Sequence, residues 1–307
     1  MFQAFELGPF IIWARLVFDL IGIWLAAEFL LRIAESANLS LQHFKQHSFW
    51  YVFAFLLTGR VLAVVAEYKV YLKEPLRMLI LWDGGFSFLG GAIGIGIVLY
   101  VVTRGHRSIF LQWLDALVPA ATLGLVFAWI GSFLAGDSYG KPTDMPWGVT
   151  YDAINVRYVI PVHPVQLYYA AFYFLLTFVL LVIRKRSKRV GAETLVGIIS
   201  ASLASFFLEN FRGDFSIPIF ATKVDFILLF ALFLSLGIFA AVELKLSQKV
   251  FFVYECFLAV ITGGYLLARP WLDLETYEFR MSQLLAVIAL LGTVVYVVME
   301  RRKHPYF

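Results

Sequence analysis

The stretch 165-VQLYYAAFYFLLTFVLLVIRKRSKR-189 decides the fold. Residues 165–183 carry no charged side chain and approach the ~20 residues that a helix needs to cross a bilayer. The run from Arg184 to Arg189 then sets five cations against one end. An apolar span closed by a basic cluster reads as a transmembrane helix that ends on the side where positive charge collects. Working outward, eight further apolar segments are found at about 10–31, 48–66, 86–102, 113–135, 191–209, 224–242, 251–268 and 282–299. Composition agrees. The chain is 61% hydrophobic and 15% charged, against about 45–50% and about 25% in soluble domains. A water-soluble globule lacks the charge to cover its surface, and disorder needs a polar chain. The expected fold is therefore all-α: a polytopic integral membrane helix bundle of about nine spans.

Loop charges set the orientation. With the N-terminus outside, inner loops hold fourteen basic residues and outer loops nine, leaving Arg15 and Arg60 within spans. The positive-inside rule favours N-out and C-in. It also makes the basic run a topology signal first and a lipid-headgroup contact second, so no nucleic-acid partner is expected. The first apolar stretch follows no basic residue and precedes no small-residue cleavage site, so it is expected to be retained as a helix. The single cysteine, Cys256, excludes an internal disulfide and a cysteine-based metal site. No metal and no cofactor are expected.

Ionisable groups within spans are costly and mark candidate sites. Arg60 lies six residues from the outer end of its span, about 9 Å deep at about 1.5 Å per residue. Arg15 and Asp19 are four apart, on one face of the first helix. Asp83, Glu209, Asp225 and His163 open or close spans on that same outer side. One reading is that these groups pair to hold helices together. The other is an outer-leaflet pocket in which arginine forks bind a lipid phosphate. The segment Trp82-Asp83-Gly84-Gly85-Phe86-Ser87 enters a span through glycines that let backbone N–H groups approach an anion, although paired glycines in membrane helices also serve packing. The long loop 136–164, rich in Gly, Pro, Asp and aromatic residues, is a further candidate region.

Several motifs resemble bacterial prolipoprotein diacylglyceryl transferase. They are Gly59-Arg60, Pro75-Leu76, Trp82-Asp83-Gly84-Gly85 with Ser87-Phe88 and Gly90-Gly91, Asp115 with Pro119, Gly131 with Phe133, and Gly136 to Gly140. His163-Pro164, Gln166-Leu167-Tyr168, Glu209, Phe211-Arg212 and Asp214 continue the series over about residues 8–242. The resemblance implies a seven-span, N-out/C-in core, here residues 1–245, with residues 246–307 adding two C-terminal spans. It implies transfer of a diacylglyceryl group from phosphatidylglycerol to the lipobox cysteine of a prolipoprotein, with a thioether formed and glycerol phosphate released. The implied partners are phosphatidylglycerol, prolipoprotein signal peptides and membrane lipid. The implied location is the bacterial plasma (inner) membrane with the active face outside. His163 and Asp137 become the catalytic candidates. Arg60, Arg212, Asp83, Ser87, Gln166, Tyr168, Glu209 and Arg15 become candidates for binding substrate and phosphate.

The chain also departs from the resembled pattern. Leu89 stands where the family has histidine, Trp129 and Ser205 where it has arginine, and Ser132 where it has asparagine. Asp137 and Tyr169 replace glutamates, Arg15 replaces a tyrosine and Val162 an arginine. Leucine cannot accept a proton, and tryptophan cannot clamp a phosphate. Two readings stand open: the chemistry is rerouted through His163, Asp137, Arg15, Arg60 and Arg212, or the protein is an inactive lipid- or lipoprotein-binding derivative. A transporter would show broken spans in corresponding halves, and none is evident.

Overall fold

In the computed structural model of this protein, the described residues are 4–7, 10–66, 71–72, 74–79, 87–103, 106–152, 155–187, 189–215, 218–241, 248–272 and 274–303. Among them are nine α-helices: α1 (Ala14–Ser36), α2 (Gln42–Ala66), α3 (Phe88–Val102), α4 (Arg107–Ala135), α5 (Val165–Arg186), α6 (Ala192–Leu208), α7 (Lys223–Ala241), α8 (Gln248–Ala268) and α9 (Met281–Lys303). Each falls on one of the nine apolar segments. Among the described residues six stretches are long and apolar enough to cross a membrane: Phe44–Val65, Arg107–Ala135, Val165–Arg186, Ala192–Phe211, Phe252–Trp271 and Met281–Val298. Leu89–Val102 is a shorter apolar helix.

The helix on the first apolar segment starts later than hydropathy alone suggests. Residues 10–13 form strand β2 (Phe10–Trp13), paired antiparallel with β1 (Ala4–Leu7). Gly8-Pro9 between them in sequence is a turn signal that a hydropathy reading overlooks. A second ribbon pairs β3 (Pro218–Thr222) with β4 (Thr276–Arg280), in a register that sets Pro218 opposite Arg280.

The chain divides into two compact units, 1–197 and 198–307, with the boundary inside α6. In the first unit, α1 packs on α4, α2 on α3 and α4 on α5. Small residues permit these approaches, as they do where lipid supplies no hydrophobic drive for helices to associate. A Cβ on Gly22 of α1 would lie 2.7 Å from the Gly124 carbonyl of α4. One on Gly94 of α3 would lie 2.2 Å from Thr58 Oγ1 and 2.6 Å from the Ala54 carbonyl of α2. Glycines 90, 91 and 94 thus serve helix packing. Ile33, Ala34, Tyr51, Leu99, Trp113 and Ala116 form the core among α1–α4.

Asp115 explains why α6 starts where it does. Buried in α4 (6% exposed), its carboxylate accepts from Gly191 N (2.5 Å), Thr194 N (2.9 Å) and Thr194 Oγ1 (2.7 Å). It therefore satisfies donors at the N-terminal turn of α6, where a helix presents orphan N–H groups and the positive end of its dipole. Gly191, at φ +89°, turns the chain into α6 in a conformation suited to glycine. Arg184 pairs with Glu193 at 3.2 Å beside it, so part of the basic run is a structural brace.

In the second unit, α7 packs against α8 and α9. Asp225 accepts from Thr222 N at 2.7 Å to open α7, and pairs with Arg269 at 3.0 Å. Gln283 of α9 donates to the Phe206 carbonyl and to Asn210 Oδ1, both at 3.2 Å.

Candidate functional site

In the first unit the long loop builds a site at the junction of α1, α4 and α5. Helix α4 ends in a left-handed Gly136 (φ +75°), with Gly136 N on the Phe133 carbonyl and Asp137 N on the Ser132 carbonyl. This Schellman-type reversal delivers Asp137 beside the start of α1, where Arg15 donates to its carboxylate. Arg15 also lies 3.7 Å from Asp19. Asn155 donates to Asp137 Oδ1 at 3.0 Å. The fully buried Gln166 donates to the Asp137 backbone carbonyl at 2.6 Å. Tyr151 is buried in the same loop. Burial pushes its phenol well above the ordinary value, and the neighbouring Gln166 side chain acts in the opposite direction. Arg15, Asp137 and Gln166 are thus brought together.

The loop has its own small core of Tyr139, Tyr151, Val156 and Val162. Isolated bridges tie Val162 to Pro142 and Val149, and His163 N reaches the Lys141 carbonyl at 3.0 Å. Gly140 is required here, because a Cβ would lie 2.3 Å from the His163 carbonyl oxygen and 2.6 Å from its Cβ. His163 Nδ1 lies 3.1 Å from the Tyr168 hydroxyl, which accepts from Trp147 Nε1 at 2.7 Å. The indole only donates. If the imidazole proton sits on Nδ1, it too donates to the Tyr168 oxygen, and Nε2 is left as the basic nitrogen. His163, Tyr168 and Trp147 form the second grouping.

Arg60 on α2 is buried, at 5% exposed. It donates to the Arg77 carbonyl at 2.8 Å and the Met78 carbonyl at 3.3 Å, and its guanidinium lies 5.1 Å from the centre of the Tyr71 ring. These contacts hold the segment around the 3₁₀ turn Pro75–Leu79 against α2. Ser87 caps α3 by accepting from Gly90 N at 3.2 Å, and its own N–H reaches the Gly59 carbonyl at 3.1 Å. Asp83 lies outside the described residues.

The second unit holds Glu209 and Arg212. Glu209 is buried, at 4% exposed. Arg212 donates to Glu209 at 2.8 Å and bidentately to Asp214 at 3.0 and 2.5 Å. Burial acts to lower the Arg212 pKa, and its bonds to Asp214 and Glu209 more than offset that, so the net shift is upward. Arg280 joins the group at 2.9 Å from Asp214.

Two pairs of departures from the resembled pattern touch each other. Arg15 and Asp137 form an ion pair. Trp129 and Tyr169 stack at 4.2 Å with 7° between the rings. An aromatic stack thus occupies two positions where the family pattern has opposite charges. Sequence reasoning missed Trp147, Tyr151 and Asn155, which are ordinary loop residues until the loop folds. It also missed Arg280, which lies 66 residues from Asp214. The first unit offers an oriented imidazole and a buried amide fixed at a helix end, and the second unit offers a partly buried arginine among carboxylates. Among the described residues no cluster of metal-ligating side chains occurs.

Comparison with known proteins places the chain in a family. A protein of Idiomarina loihiensis named phosphatidylglycerol–prolipoprotein diacylglyceryl transferase is 30% identical over 177 residues, covering 57% of this chain and 65% of the relative. Proteins of the same name from Pseudoalteromonas atlantica and Azospirillum brasilense are 31% and 34% identical. Each of these matches covers 68% of this chain, and 74% and 80% of the respective relative. The chain thus spans just under two thirds of the Idiomarina relative and more of the other two. A family model described as prolipoprotein diacylglyceryl transferase matches residues 3–299, through both C-terminal apolar segments. The chain belongs to the prolipoprotein diacylglyceryl transferase family.

Proposed function

We propose that this protein transfers a diacylglyceryl group from phosphatidylglycerol to the cysteine of prolipoprotein signal peptides, as a multi-pass protein of the bacterial inner membrane whose active face is outside. The family match across residues 3–299 carries this reading. The alternative of an inactive derivative draws no support from the relatives.

The chemistry asks for a base, a cation and a dry, lipid-facing site. The cysteine sulfur attacks the glyceryl carbon that bears the phosphodiester oxygen. The carbon–sulfur bond forms, the carbon–oxygen bond breaks with its electron pair on the oxygen, and glycerol phosphate leaves. The thiol must first lose its proton, because the thiolate is the nucleophile. His163 takes that proton at Nε2, with Tyr168 orienting the ring through Nδ1. Arg212 stabilises the departing phosphate, with Glu209 beside it. Asp137 is the second proton-transfer candidate, Arg15 the cation that offsets its charge, and Gln166 its anchor. Arg60 and Ser87 shape the binding region through the backbone they hold, and Asp83 belongs to the same binding set. The Arg15–Asp137 and Trp129–Tyr169 contacts support rerouting rather than loss, since four of the eight departures pair with one another. Membrane lipid bathes the site.

Complementation tests the proposal. The chain should restore lipidation in a strain depleted of its own transferase, seen as a gel shift of a prolipoprotein. Expression without that shift, where a motif-complete relative restores it, refutes the transferase reading and leaves lipid binding.

A further inference from the structure

The second unit contains a compact group of four charges from two distant parts of the chain. Glu209, Arg212 and Asp214 follow α6, and Arg280 ends β4, immediately before α9. Arg280 reaches Asp214 Oδ1 at 2.9 Å and the backbone carbonyls of Arg212 and Asp214 at 3.0 and 2.9 Å. It also lies 3.7 Å from Glu209 Oε2. Its fork therefore grips the 212–214 turn through both main chain and side chain. All four side chains are mostly buried, at 4–17% exposed. Buried charges are tolerated when paired and hydrogen-bonded. Glu209, Arg212 and Asp214 alone would carry a net charge of about −1, counting each carboxylate and guanidinium as ionised. With Arg280 the four balance.

We infer that Arg280 is a positioning residue for Arg212, which makes the helix pair α8–α9 a working part of the site. Arg280 shares the Asp214 carboxylate and fixes the backbone on both sides of the turn. The Arg212 guanidinium is then presented in one orientation within a group that does not repel an anion. Without Arg280 the surplus carboxylate charge draws Arg212 inward and opposes an anionic head group. A lysine cannot reproduce this, since its point charge cannot bridge a carboxylate and two carbonyls as the guanidinium fork does. This inference rests on the reading of Arg212 as the phosphate-facing cation.

The test uses the full chain in mixed micelles, with the KM for phosphatidylglycerol and the retention of phosphatidylglycerol over phosphatidylethanolamine on the purified protein as readouts. Arg280→Gln is expected to raise KM and weaken retention by about tenfold, the size of one lost charged contact. Arg280→Lys should fall between that variant and the parent. The double variant Asp214→Asn/Arg280→Gln, again balanced in charge, should recover most of the loss. Unchanged KM and retention in Arg280→Gln overturn the inference. So does a lower yield of folded protein with parental KM, or a double variant no better than the single. A parent that transfers nothing, yet retains phosphatidylglycerol in an Arg280-dependent way, refutes the transferase reading and leaves this one standing.

Discussion

Replacing Asp115 with alanine should destabilise the protein without touching its chemistry. The carboxylate accepts three hydrogen bonds at 2.5, 2.9 and 2.7 Å from the first turn of α6, in a site that is 6% exposed. The Thr194 hydroxyl can rotate to another acceptor, whereas the Gly191 and Thr194 amides cannot. Two buried amides deprived of a charged acceptor cost about 1.5–2 kcal/mol each, or about 3–4 kcal/mol together. At about 2–4 °C per kcal/mol for a chain of this order of size, the melting temperature should fall by about 10 °C. Asp115→Asn keeps one acceptor oxygen but turns an NH₂ toward a donor, so about half that loss is expected. Thermal unfolding in detergent, followed by tryptophan fluorescence, measures both. Lipidation per folded molecule should stay at the parental level. An Asp115→Ala variant that melts within about 1 °C of the parent would refute the assignment of Asp115 as the cap of α6.

His163→Gln should lower lipidation by about a hundredfold or more with normal expression, because glutamine retains hydrogen bonding but is no base; unchanged lipidation in a gel-shift assay would remove His163 from the chemistry. Gly140→Ala should also depress lipidation, since its Cβ would sit 2.3 Å from the His163 carbonyl and backbone cannot yield as a side chain can. Gly96→Ala, with nothing within 4 Å of the added Cβ, is the control and should behave as the parent. Reporter fusions after Arg189 and after Trp147 should give opposite signals in a compartment assay, and identical signals would sink the N-out orientation.

What the sequence determined by itself was the set of helices. Each apolar run closed by charge or turn residues became a helix, because hydrocarbon leaves no other way to satisfy a backbone. The motif string likewise named the family. Local patterning also carried the proximity of Arg15 to Asp19, four residues apart on one helix face. The tertiary structure decided which charges meet. Arg15 finds Asp137 122 residues away, Gln166 holds the Asp137 carbonyl, and Arg280 closes the charge balance around Asp214. None of these pairings leaves a local trace, because an ion pair is set by the helix ends that packing brings together and not by spacing along the chain. Arg60 shows the converse. Its burial within a span was legible, but its carbonyl partners at Arg77 and Met78 emerged only once the following segment folded back onto α2.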